Sequence, residues 1–433
     1  MAPDRNDGPA TPPIRRRPPG GLRSRERRRR RERVRTAEAR IRRWIGQILP
    51  EPRRRLADRA GRSRTWIEER RRWSYPALGL ALIAVASLLP FLQQWFALPA
   101  WLQRGTSSTA LAQWALFALF ALGLNVVVGL AGLLDLGYVA FWAIGSYTAA
   151  LMSGAVGYSR AIETAGGSIP PEPMWKMWMW LIFFVALAVA ILAGILLGSP
   201  TLRLRGDYLA IVTLGFGEII RLTANNLDSI TLGPQGIVSI PHPAITIGRF
   251  SVKWGTLTDN KYYWLLLGLV TVWVVAIRLL DNSRIGRAWV AIREDEVAAA
   301  AMGVPVVRMK LAAFSIGACT AGVGGVVFAQ QTNFMNPDTF TIIQSVLIVC
   351  MVVIGGMGSV AGAILGAALI TLLPEIFRGL QDYRFFVFGL ALVGIMVFRP
   401  QGLIPSRRRK AELRGGTVNE QLYDAARAGE GGV

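Results

Sequence analysis

The feature that most limits what this chain can fold into is a succession of apolar segments. Each is close to the roughly 20 residues that a helix needs to cross about 30 Å of hydrocarbon. They fall near 76–98, 109–130, 136–157, 178–198, 207–225, 262–280, 310–331, 341–357, 359–377 and 385–398. Backbone inside lipid must satisfy its own hydrogen bonds, so the series predicts an all-α polytopic bundle of about ten spans, with eight to ten as the range. The last segment is short. Polar groups interrupt the fifth, which makes it a candidate re-entrant segment, and the eighth and ninth run together through IGGMGSVAG. With 52% hydrophobic residues, 46 Gly and 14 Trp, the composition belongs with membrane proteins and not with soluble globules.

Charge orients the series. Residues 1–75 hold 25 Arg and nine acids, so they carry most of the net +22. They are rich in Pro and Arg, with RSRERRRRRERVR at 23–35, and no apolar run near Met1 marks a cleaved secretory signal. A disordered cytoplasmic tail drawn to anionic lipid is the expectation. Within it, 36–72 can form a surface helix through Ile41, Trp44, Ile45, Ile48 and Leu56. An Arg run also suits RNA, but a membrane tether follows it directly, so no nucleic-acid partner is expected. With this tail inside, ten spans return the C-terminus inside. The inner connections then hold Arg203, Arg205, the four Arg of 281–309, and Arg407, Arg408, Arg409 and Lys410, which is the positive-inside asymmetry. The expected organisation is a basic tail at 1–75, a membrane domain at 76–405 and a cytoplasmic C-terminal tail at 406–433, with both termini cytoplasmic. The outer loops at 158–177 and 226–261 are rich in Gly, Pro, Ser and Thr, and IGRFSVKW suits short strands or turns better than helix.

One inner connection is unusually ordered. Residues 281–309, DNSRIGRAWVAIREDEVAAAAMGVPVVRM, read as a hairpin of two amphipathic helices. Ser283 can cap the first, which carries Ile285, Trp289 and Ile292 on one face. The second opens on Glu294, Asp295 and Glu296, runs through Ala298 and Ala299, and stops at Gly303 with Pro305 just beyond, the order that a helix dipole and a C-terminal glycine favour. A loop held in such order is expected to touch a partner.

Two further stretches carry chemistry. In 123–148 the glycines 129, 132 and 137 surround Asp135 where the second span must turn back. Asp135 either caps the next helix or marks a broken mouth of a translocation path, since irregular backbone at membrane depth is tolerated where it lines a cavity or is packed in protein. In 207–236, Glu218 and Arg221 lie three residues apart and can pair, as a structural clamp or as a lining of the path. Asn125, Tyr138, Thr213 and Asn225 from the same two stretches complete the candidate path. Gly194 with Gly198, and Gly358, Gly362 and Gly366, read as close helix packing. His242 between prolines reads as a turn residue. Cys319 and Cys350 sit in apolar segments, which argues against a disulfide or zinc. Gly-Lys never occurs, so there is no phosphate loop, and no triad or acid pair stands at catalytic spacing.

Three motifs in order carry a resemblance: ALGLNVVVGLAGLLDLGYVAFWAIGSYTAALM, PTLRLRGDYLAIVTLGFGEIIRLTANN followed by TLGPQGI, and GRAWVAIREDEVAAAAMGVPVVRMKLAAFSIGACTAGVGGVVFA. Over about 76–405 the chain resembles the permeases of branched-chain amino acid ABC importers, specifically the longer of their two permease subunits. The resemblance implies a bacterial inner-membrane importer subunit without enzymatic activity or bound cofactor. Its implied partners are a second permease, two ATPase subunits that hold ATP and Mg, and an extracytoplasmic binding protein that delivers Leu, Ile or Val. It also implies that 281–309 docks on an ATPase through Trp289, Ile292, Glu294, Asp295, Glu296, Ala298, Ala299 and Gly303. The loop of such importers commonly reads E-A-A-x-x-x-G. Ala298, Ala299 and Gly303 match it, while Val297 stands where Glu would be. A permease for urea or short amides and an ion-coupled carrier using Glu218 and Asp135 are the alternatives, as is a scaffold acting through its Arg-rich tail.

Overall fold

The computed structural model describes residues 107–157, 159, 179–201, 207–247, 250–253 and 260–376, with a few positions between 386 and 404. The basic tail, the expected first span at 76–98, nearly all of the expected outer loop at 158–177, most of the expected last span and the C-terminal tail at 406–433 lie outside them.

Ser107 starts the first helix, α1 (Ser108–Leu124), by accepting the Ala110 N–H at 3.3 Å. This helix is apolar all round and almost wholly buried, the mark of a helix at the centre of a bundle. It continues as a π-helical segment (Asn125–Leu130) in which the Ala131 N–H reaches the Val126 carbonyl at 3.1 Å. The chain then turns back into α2 (Tyr138–Met152), shorter than the 136–157 predicted mainly because it stops at Ser153 and Gly154, the latter at φ +77°. Next come α3 (Met179–Thr201), α4 (Asp207–Asn226) and α5 (Asn260–Asn282). Two short helices follow, α6 (Arg284–Glu294) and α7 (Glu296–Ala301). The long α8 (Val306–Thr332) leads to α9 (Ile342–Gly355) and α10 (Val360–Ile376). Among the described residues five stretches are long and apolar enough to cross a membrane: Ser108–Leu130, Trp180–Thr201, Asn260–Asn282, Val306–Thr332 and Pro337–Gly355. α2 and α10 are shorter apolar helices.

α1, α2 and α8 form the centre. α8 packs on α2 and α3, and α1 packs on α5, α8, α9 and α10. Peripheral helices leave large apolar side chains uncovered, such as Phe184 and Leu196 on α3, Val272 and Leu279 on α5 and Ile343 on α9. Exposed strips of this kind fit a hydrocarbon solvent, where burying them gains nothing. The fifth segment is one uninterrupted helix, with Leu209, Ala210, Thr213 and Ala224 inward and Tyr208, Ile211 and Ile219 outward. Its polar residues thus mark one face of a helix and not a break. The merged eighth and ninth segments separate at Gly356 and Gly358, both with positive φ, and Ser359 accepts the Gly362 N–H at the start of α10.

Both small ladders lie at the end of the bundle opposite α6 and α7. β1 (Ile237–Val238) pairs antiparallel with β4 (Phe334–Met335), and β2 (Ala244–Ile247) with β3 (Phe250–Lys253). The second pair is the IGRFSVKW region read as strand.

Candidate functional site

The charged connection folds into the expected hairpin, and its two faces differ. Ser283 Oγ accepts the N–H groups of Ile285 at 3.1 Å and Gly286 at 3.3 Å, which starts α6. Asp295, extended at φ −154°, ends α6 and accepts the N–H groups of Val297 at 2.8 Å and Ala298 at 3.0 Å, which starts α7. Glu294 is therefore the last residue of the first helix and not the first acid of the second.

The inner face is anchored. Trp289, Ile292 and Ala299 are buried, and the Trp289 indole N–H donates to the Met309 carbonyl at 2.7 Å. Glu296 pairs at 2.8 Å with the ammonium of Lys310, a residue only 4% exposed on α8. Ile285, read as part of the inner face, is exposed. Gly286 sits so close to the end of α5 that any Cβ would strike the carbonyl oxygens of Leu280 and Asp281. The outer face is a strip of small and apolar residues: Val297, Ala298, Ala300, Ala301 and Met302, the last 86% exposed. Gly303 closes it at φ +85°, donating its N–H to Ala300, and the Val304 N–H reaches Ala299. Nothing crowds the Gly303 position, so its requirement is conformational and not steric.

Asn125, Asp135 and Thr213 meet around the turn between α1 and α2. Asn125 Oδ1 accepts the Gly358 N–H at 2.8 Å, tying the π-helical segment to the α9–α10 junction. Asp135 Oδ1 accepts the Gly137 N–H at 2.9 Å, which orders the turn ahead of α2 and does not cap the helix itself. Burial pushes the Asp135 carboxyl up to about 7, against the lowering pull of that N–H and of the Thr213 hydroxyl. Thr213 Oγ1 on α4 accepts the Leu136 N–H at 3.1 Å. Tyr138 stands apart, fully buried with its ring edge-on to Phe120.

Glu218, Arg221 and Asn225 lie further along α4, from about 7 Å beyond Thr213 onward at 1.5 Å per residue. Arg221 forks onto Glu218 and reaches Asp338 at 3.2 Å, which joins α4 to the connection between α8 and α9. His242 Nδ1 lies 2.8 Å from the Tyr262 hydroxyl and 2.9 Å from the Gln330 carbonyl, which pins the connection between α4 and α5 to α5 and α8 as a structural turn residue would. Among the described residues no group of three His, Cys, Asp or Glu could hold a metal ion.

Lys310, Asp338 and Arg293 went unrecognised in the sequence. Arg293 Nη1 donates to the Gly129 carbonyl at 2.6 Å, across 164 residues. Its signal was available, because Arg293 lies four residues beyond the inward Trp289 and so shares its face. Lys310 and Asp338 meet partners that no spacing in the sequence announces.

Residues 107–396 match the family described as branched-chain amino acid transport system, permease component. The chain is 38% identical over 354 residues to the high-affinity branched-chain amino acid transport system permease protein LivM of Salmonella typhimurium, covering 78% of this chain and 76% of that one. It is 39% identical over 356 residues to LivM of Escherichia coli, with 78% and 77% covered. A more distant relative is the autoinducer 2 import system permease protein LsrC of Salmonella paratyphi B, 28% identical over 231 residues, with 49% and 63% covered. No solved structure matches the chain.

Proposed function

The chain belongs to the branched-chain amino acid transport permease family, and from that footing we propose that it is the longer permease subunit of an ATP-driven importer of Leu, Ile and Val. A second, shorter permease completes the pathway. Two ATPase subunits sit below it, and a binding protein delivers the amino acid above. ATP and Mg belong to the ATPases, because this chain has no phosphate loop. Both termini face the cytoplasm of a bacterial inner membrane, and the Arg-rich tail rests on anionic headgroups.

The observation that carries this reading is the two-faced hairpin. One side is locked to α8 by Trp289 and by Glu296 with Lys310, while the other offers an uncovered strip of Val297, Ala298, Ala300, Ala301 and Met302. A short helix with a small apolar face is the kind of element that lies in a groove on a partner. When the ATPases close on ATP they push this hairpin, and the anchored side passes the displacement to α5 and α8. No covalent chemistry falls to the chain. Asn125, Asp135, Tyr138, Thr213, Glu218, Arg221 and Asn225 remain the candidate path. A zwitterionic substrate suits a path whose charged groups are already paired, as Arg221 is with Glu218 and Asp338 on the outer part of α4.

The test is reconstitution of this chain, the shorter permease, both ATPases and the binding protein in proteoliposomes. Leucine uptake that needs internal ATP and all five components is expected. Uptake by this chain alone, driven by an ion gradient, would overturn the proposal.

A further inference from the structure

The hairpin packs closely on few parts of the protein. Among the described residues α6 has its main contacts with α5, α7, α8 and the π-helical segment. α4 and the α9–α10 junction are not among them, yet both hold the segment 125–137. Asn125 takes the Gly358 N–H at one end of that segment, and Thr213 takes the Leu136 N–H at the other. The side chain that reaches into the segment from the hairpin is Arg293, through the Gly129 carbonyl.

The glycines of 125–137 make this meeting possible. A Cβ at Gly129 would collide with the Gly358 backbone and with Asn125 Oδ1, and one at Gly137 with the Thr213 carbonyl. Gly132 sits at φ +73°, and a Cβ there would come within 2.8 Å of Arg293 Cγ. Three separate elements thus rest on one short stretch of irregular backbone, each where a side chain has been omitted. The Gly129 carbonyl lies in the last turn of α1 and its π-helical extension, where carbonyls lack helical partners and a cation is favoured. Among the described residues no carboxylate pairs with Arg293. π-Helical turns inside α-helices recur at functional sites.

We propose that Arg293 is a positioning residue for transport: it carries displacement of the hairpin into 125–137, and that segment moves α4 and the α9–α10 junction together. This rests on the coupling role proposed above. The guanidinium contributes a directed, charge-assisted hydrogen bond, so push and pull are both transmitted, whereas packing alone transmits only push.

The experiment uses the complete importer in proteoliposomes, comparing Arg293→Met and Arg293→Lys with the unaltered chain. Co-purification of the ATPases is measured first, then ATP hydrolysis, then leucine uptake. Arg293→Met is expected to keep the ATPases bound and ATP hydrolysis within about twofold, while uptake per ATP falls about tenfold, within the range of ordinary coupling energies. Arg293→Lys, which keeps a donor for the Gly129 carbonyl, is expected to recover part of that ratio. An unchanged ratio in Arg293→Met would overturn the proposal, as would loss of the ATPases from the complex, because Arg293 would then serve assembly alone. If the unaltered importer shows no ATP-driven uptake, the coupling reading itself has failed, and that outcome is read before either variant is compared.

Discussion

Asp135 shows how one side chain can set the conditions under which a turn holds. It is buried in the connection between α1 and α2, and burial moves its carboxyl from 3.8 to about 7. The folded chain therefore binds a proton that the unfolded chain has released between those values. Stability from this group is greatest below pH 4 and is lost as pH rises toward 7, at about 1.4 kcal/mol per pH unit where the difference is complete. Asp135→Asn keeps an oxygen for the Gly137 N–H and removes the charge. In detergent, the purified variant should melt several degrees above the unaltered chain at pH 8, the two should converge near pH 4, and most of the slope between should vanish. A thiol-reactive dye reporting exposure of buried Cys319 would follow the melt. Equal melting temperatures at pH 8 would mean that Asp135 is ionised at no cost. The glycines around Asp135 were legible as a break, and Thr213 was already a candidate beside it, but the pairings were not, because 77 residues of chain separate Leu136 from Thr213 and 233 separate Asn125 from Gly358.

Among elements, the hairpin was the most legible, because capping is local chemistry. Ser283, Asp295 and Gly303 each act within three residues of themselves, so their spacing alone announces two helices. The exposure of Ile285 was not legible, since it shares a face with buried Trp289 and Ile292 and only tertiary packing decides how far along α6 the cover reaches. The consequence is practical. Ala299 faces inward, so a bulky residue there disturbs the hairpin's own seating, whereas Gly303 tests shape with nothing crowding it. Gly303→Asn, which tolerates a left-handed backbone, should leave ATPase co-purification near normal. Gly303→Val, with a strained left-handed residue costing about 1–2 kcal/mol, should weaken it severalfold. Equal recovery of the ATPases with both variants would show that the αL stop has no part in docking.

Over the whole molecule, the apolar periodicity announced eight segments that fold as helices within the described residues, with boundaries shifted by a few residues. It could not announce which helices lie at the centre, because in a bilayer core and periphery are alike apolar. α1 is central through its nearly complete burial, and α3 and α5 are peripheral through the side chains they leave bare. The orientation drawn from charge makes a prediction at this scale. In an otherwise cysteine-shielded chain, Met302→Cys should react with an impermeant maleimide in inside-out vesicles and not in intact cells. Trp289 is unsuited to this test, since it is buried against α8. Labelling in intact cells would put the hairpin beyond reach of any ATPase. At the far end, the two rungs joining Ile237 and Val238 to Met335 and Phe334 fasten the stretch after α4 to the stretch after α8, with Ile237 and Met335 sealed from solvent. Rods clasped at one tip can part only at the other, so under the coupling role proposed above a tug on the hairpin would be spent on spreading the near ends, as with a pair of tongs.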